Sequence, residues 1–176
     1  MEWTTVDSDL AYTCEGFDIV TQTVALPDGQ QVEFDYLAEG ESVVVLPFTP
    51  DDRVVVIDEW RQAVERVNHG LPAGSVEDDE QPQEAVPREL REETGYEPGD
   101  VEHLTTVEPA NGFSDAVFHY YVAHDCEPTA DQQLDVDESI TVSTTSYRAL
   151  LDAVRDGDLR DGRAAFGVLY YLVFDG

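Results

Sequence analysis

The chain has 176 residues, enough for one domain with a good core. Acidic residues number 39 against 9 basic, a formal net charge of −30, and every basic residue is an arginine. Such a charge lacks the basic footprint of a nucleic-acid binder. Apolar residues make up 41% and the acids are spread along the chain, which argues against an acidic disordered tail. Cys14 and Cys126 suggest neither a disulfide framework nor a zinc site. No run reaches the length of a membrane span, and MEWTTVDSDL has no signal-peptide pattern, so a cytoplasmic protein without membrane contact is expected. Self-repulsion at this charge points to a halophilic setting, where concentrated salt screens the acids.

Residues 17–25 read as a strand, Pro27-Asp28-Gly29 as a turn, and residues 32–37 as a returning strand. Two valine-rich runs follow, 42–48 and 53–58, separated by Thr49-Pro50-Asp51-Asp52. Their unbroken apolar character predicts strands buried on both faces. A helix is predicted at about 83–94, strands at 101–108, 116–123 and 139–143, a helix over 146–156 ending at Gly157, and a last helix capped by Asp161. Pro87 conflicts with the first of these helices, which must start late or kink there. Together these elements form a mixed α/β domain.

Residues 74–96, GSVEDDEQPQEAVPRELREETGY, carry the chemistry. Glu89, Glu92 and Glu93 stand at i, i+3 and i+4, so on a helix they share one face. Three adjacent carboxylates repel one another unless a hard cation sits among them, and Mg²⁺ takes such oxygen ligands together with substrate phosphate. Gly95 is a natural left-handed helix stop, and Gly74 is expected to let the backbone turn tightly before the helix.

The spacing of Gly74, Glu80, Arg88, Glu89, Leu90, Glu92, Glu93, Gly95 and Tyr96 matches G-x5-E-x7-R-E-U-x-E-E-x-G-U, with U a bulky apolar residue. At roughly 5–10% per residue type this arises by chance about once in 10⁸ starts. It resembles the box of the Nudix hydrolases, which split a nucleoside diphosphate linked to another moiety. The resemblance implies an α/β/α sandwich with a mixed sheet for residues 41–176. Residues 1–40 resemble the small antiparallel sheet added in the ADP-ribose pyrophosphatase branch, where it commonly helps form a homodimer. The cofactor implied is Mg²⁺, with Mn²⁺ as the substitute.

Flanking segments also resemble that branch: Glu59-Trp60-Arg61-Gln62, Leu71-Pro72-Ala73-Gly74, and Gly112-Phe113-Ser114-Asp115, although Asn111 stands where the branch has proline. The resemblance implies metal ligation by Glu89, Glu92, Glu93 and the Ala73 carbonyl. It implies substrate contacts by Arg61, Phe113 and Ser114, with Phe17 as an adenine partner. Glu138, or else Asp137, would position or deprotonate the attacking water, Arg88 would orient the box glutamates, and Glu80 would support the loop-helix geometry or a water-bridged metal. The implied reaction is ADP-ribose and water giving AMP and ribose 5-phosphate. A pyrophosphatase for another nucleotide sugar such as GDP-mannose, or a ligand-sensing Nudix module without catalysis, are the alternatives.

Overall fold

A computed structural model describes residues 1–14 and 16–175. The chain divides into two compact units, residues 1–41 with 107–118, and residues 42–106 with 119–176.

The first unit is built on an antiparallel sheet of β1 (Thr4–Thr13), β2 (Asp18–Ala25) and β3 (Gln31–Ala38), in that order. The turn between β2 and β3 closes as predicted, with Gly29 at φ +86° where a side chain would be strained. Strand β1 was not expected, and its sequence explains why. Register shifts between Thr5 and Asp7 and between Leu10 and Tyr12 break the alternation that marks a strand. Residues 107–118 join this unit through backbone bonds from Leu37 N to Phe113 O (2.9 Å) and from Asp115 N to Leu37 O (3.1 Å).

The second unit contains the valine strands β4 (Glu41–Pro47) and β5 (Arg53–Arg61). Val43 to Leu46 and Val54 to Ile57 are buried without a break, as their composition predicts. Next come β6 (Arg66–Gly70), β7 (Ala73–Ser75) and helix α1 (Pro82–Thr94). They are followed by β8 (Tyr96–Glu97), β9 (Asp100–Val107), β10 (Val117–His124), β11 (Glu127–Pro128) and β12 (Ile140–Ser146). Helices α2 (Tyr147–Asp156) and α3 (Gly162–Phe174) end the chain. One sheet has the order β7-β4-β10-β9 and another β12-β5-β6, with β11 and β8 as a small pair. The result is a mixed α/β fold.

Helix α1 lays Ala85, Val86 and Leu90 against Val43, Val45, Tyr121 and Ala123. Tyr120 points the other way, onto Phe166 and Gly167 of α3, as the two-residue period of β10 requires. The sheet is thereby covered on both faces. Helix α1 begins at Pro82, where the missing N–H of a first-turn proline costs nothing, and runs on through Pro87 rather than starting late. Glu84 accepts from Gln81 N at 3.0 Å and closes the start, while Gly95 ends the helix at φ +76°.

Candidate active site

The acidic face of α1 separates into one deeply buried carboxylate and two more accessible ones. Glu93 is 3% exposed, and its Oε2 accepts from Ala73 N at 2.9 Å. Burial raises its pKa to about 8; the Ala73 N–H works against this, while the neighbouring charges of Glu89, Glu138 and Glu59 add to it. Glu89 is also shifted upward by burial, with Arg88 opposing. Glu92 is the most open of the three, with 41% of its side chain exposed.

Arg88 ties this face to the preceding loop. Its Nε and Nη2 donate to the two carboxylate oxygens of Glu80 at 2.9 and 2.7 Å, and Nη2 also reaches Ser75 O at 2.8 Å. Its Nη1 lies between Glu89 (2.8 Å) and Glu92 (3.2 Å). The forked guanidinium therefore spans the start of the loop and two box acids at once. Hydrogen bonding to Arg88 holds Glu80 below the usual carboxylate value.

Gly74 does not serve the tight turn expected of it. It lies in β7, and a Cβ there would stand 2.1 Å from the Glu89 carboxyl carbon. The missing side chain is what lets the Glu89 carboxylate lie over the backbone. The end of α1 is held by the loop before β12, where Gln132 Nε2 donates to Glu93 O at 2.6 Å and Gln133 N donates to Glu92 O at 2.8 Å.

Two of the flanking residues join this neighbourhood. Arg61 pairs with Glu59 at 2.7 Å. Glu138 precedes Ser139, whose carbonyl accepts from Trp60 N at 3.3 Å, and Ile140 pairs with Glu59 across β12 and β5. Glu138 acts electrostatically on Glu59, Glu89 and Glu93. Asp137 is exposed.

The other flanking residues belong to the first unit. Phe113 is 60% exposed at the end of a turn closed by its N–H on Ala110 O (2.9 Å). Ser114 is buried; its hydroxyl donates to Glu39 and accepts from Ala116 N at 3.0 Å. Phe17 precedes β2, and its carbonyl accepts from Cys14 N at 3.1 Å.

Glu59 was overlooked in the sequence. It is 7% exposed, and burial raises its pKa against the opposing charges of Arg61 and Arg163. The only signal was an acid at an inward position of a valine strand, which is unusual unless it is paired.

A hard divalent cation fits this donor set. Three carboxylates leave one helical turn, Gly74 clears space for one of them, and the buried Glu93 sits in a field of like charge that a cation would relieve. Among the described residues no three acidic, histidine or cysteine side chains already converge tightly on one point. Arg88 takes up the space between Glu89 and Glu92.

A family model for the Nudix domain matches residues 39–163, the span that contains every one of these second-unit acids. The chain belongs to the Nudix family. As a Nudix pyrophosphohydrolase it is 26% identical over 171 residues to the ADP-ribose pyrophosphatase of Bacillus subtilis (strain 168), covering 97% of this chain and 92% of that one. It is 35% identical over 106 residues to a GDP-mannose pyrophosphatase of Klebsiella pneumoniae, covering 59% and 52% of the two chains. A crystal structure described as an ADP compounds hydrolase shares the fold at a TM-score of 0.85, with 20% identity over 98% of this chain and 93% of that chain.

Proposed function

We propose that this Nudix enzyme hydrolyses the diphosphate of a nucleoside diphosphate sugar, with ADP-ribose giving AMP and ribose 5-phosphate as the preferred reaction. The observation that carries this is the row Glu89–Glu92–Glu93 on α1, with Glu93 buried and held by Ala73 N. The near full-length similarity to an ADP-ribose pyrophosphatase supports the substrate. The shorter similarity to a GDP-mannose pyrophosphatase keeps that nucleotide sugar as the second reading, with Asn111 the first residue to test.

Glu89, Glu92, Glu93 and the Ala73 carbonyl would hold Mg²⁺ or Mn²⁺. The chemistry such a metal would supply when bound is neutralisation of the diphosphate and acidification of the attacking water. The side chains do the rest. Arg88 and Glu80 fix the rotamers of the box acids. Arg61, anchored by Glu59, offers its guanidinium to a phosphate or to the terminal ribose. Glu138 orients the water, on a loop pinned to β5 by Ser139. In the first unit Phe113 and Phe17 are exposed and free to meet substrate, Phe17 offering adenine a flat face, whereas the hydroxyl of the buried Ser114, expected as a substrate contact, is taken up by Glu39 and Ala116 N.

Residues 1–40 serve as a dimerisation sheet in this reading. Trp3, Val6, Leu10, Tyr12 and Phe34 are all at least 36% exposed there, more apolar surface than three strands keep in water without a partner. A homodimer mass by light scattering in KCl, reduced to a monomer by Leu10→Glu, is the expected result. Among the described residues no helix is long and apolar enough to cross a membrane.

The test is hydrolysis of ADP-ribose, GDP-mannose, NADH and a nucleoside triphosphate in high KCl with Mg²⁺, by wild type and Glu93→Gln. Fastest release of AMP from ADP-ribose, lost in the variant, is expected. Faster turnover of GDP-mannose would move the reading to that sugar. Binding without turnover of any of them would leave a ligand-sensing module.

A further inference from the structure

Beyond the box, a half-buried ion pair from the far end of the chain acts on the acidic face. Asp161 caps α3, accepting from Arg163 N (2.8 Å) and Ala164 N (3.4 Å). The same carboxylate grips the Arg163 guanidinium in a fork, with Nε at 3.3 Å and Nη2 at 2.9 Å. Side chains of Asp161 and Arg163 are 12% and 28% exposed. The pair abuts the end of β6, where a Cβ on Gly70 would lie 3.6 Å from Asp161 Oδ2. From Gly70 the backbone runs directly through Leu71 and Pro72 to Ala73, whose N–H holds Glu93. Glu59 lies on the neighbouring strand, with Ile57 paired to Gly70 and Glu59 paired to Asn68. Arg163 acts electrostatically on both Glu59 and Glu93.

We propose that Arg163 is a positioning residue that sets how tightly the acidic face of α1 takes a divalent cation and how readily it then accepts a diphosphate. The proposal rests on reading that face as the metal site. Arg61, Glu59, Asp161 and Arg163 are two cations and two anions, so their formal charges cancel. Arg163 couples electrostatically to Glu59 and Glu93, so the two pairs act on Glu93 as one formally neutral group. Loss of the Arg163 charge leaves that group net negative, which attracts a cation and repels a diphosphate. Loss of the Asp161 charge does the reverse. A residue that merely braced the fold would weaken both ligands whichever partner was changed.

The test is Mn²⁺ affinity, measured by titration with the ion alone, in wild type, Arg163→Gln, Arg163→Lys, Asp161→Asn and Glu93→Gln at one fixed KCl concentration. Asparagine still caps a helix, so Asp161→Asn keeps the start of α3. Arg163→Gln is expected to bind Mn²⁺ about threefold or more tightly, as Coulomb attraction in a partly buried site requires. Its KM for ADP-ribose should rise. Asp161→Asn is expected to bind Mn²⁺ more weakly, and Arg163→Lys to stay close to wild type. If Arg163→Gln does not fold, the opposed behaviour of Asp161→Asn and Arg163→Lys decides the matter. Unchanged Mn²⁺ affinity, or shifts of the same sign in Arg163→Gln and Asp161→Asn, would overturn the proposal while a loss of binding in Glu93→Gln leaves the metal site standing. Wild type that binds no Mn²⁺, or Glu93→Gln that binds as well as wild type, would overturn both.

Discussion

Arg88 and Arg163 both serve the same row of acids, but they reach it by different routes. Arg88 stands on the helix itself and finds Glu89 and Glu92 within one turn, with Glu80 eight residues back. Arg163 belongs to the last helix, comes from 70 residues beyond Glu93, and is held by an acid of its own. The first network is local and organises rotamers; the second is assembled only by packing and adjusts the field. A site of this kind needs both, because three carboxylates must be aimed as well as kept from repelling a phosphorylated substrate.

The comparison breaks most sharply at Glu93, which stands on the helix face that Arg88 organises and in the field of Arg163. Glu93→Gln is expected to lower kcat by about 10²–10³, the loss usual for a preorganised charge stabiliser. Arg88→Gln frees Glu80, Glu89 and Glu92 together. A fall in kcat/KM of roughly 10–100-fold is expected, since an ångström of misplacement costs that much. Initial rates at saturating Mg²⁺ would check both variants, and near-wild-type turnover in either would remove that residue from the machinery.

Gly74→Ala sharpens the local half of the comparison. The added methyl would stand 2.1 Å from the Glu89 carboxyl carbon, so the flexible side chain must swing away. About a tenfold loss of kcat is expected with only a modest fall in Tm, as the largely buried Glu89 carboxylate leaves Arg88 and swings toward solvent. A large drop in Tm with activity preserved per folded molecule would contradict this role.

A pH series addresses the field. With chelator present, Glu93 has its pKa raised to about 8 from 4.5 by burial and by Glu89, Glu138 and Glu59. The fold therefore favours the protonated acid. That contribution is full below the unfolded value near 4.5 and is lost as pH rises through about 8. Tm of the metal-free protein should fall across this window, less so in Glu93→Gln, and divalent metal should flatten the decline. Parallel curves for the two proteins would show that Glu93 is not the group concerned.

The smallest effect belongs to the whole surface. With a net charge of −30, raising KCl should raise Tm by screening self-repulsion. A melting temperature that falls with KCl would count against salt adaptation.

Legibility differed from element to element. The unbroken valines of β4 and β5 and the caps of α2 and α3 were plain, because their signals lie within a few residues. The i, i+3, i+4 row and its glycine stop were equally plain. Strand β1 was hidden by its bulges, and β6, β7, β8 and β11 are too short or too polar to show a period. Gly74 was marked as special, but only the packing of α1 on β7 revealed that Glu89 occupies the space a side chain would fill. Arg163 had no local signal at all, and Glu59 had only its inward place on a valine strand.

From the sequence alone come the family's box, the shared face of Glu89, Glu92 and Glu93, the buried valine strands and the charge that demands screening. Each depends on spacing along one helix or strand, or on a sum over the chain, and needs no knowledge of what lies across the core. The burial of Glu93, the clearance over Gly74 and the quartet of Arg61, Glu59, Asp161 and Arg163 were decided only by tertiary structure. Desolvation and charge coupling depend on distances between elements far apart in sequence, and those distances exist only once the sheets and α3 have packed.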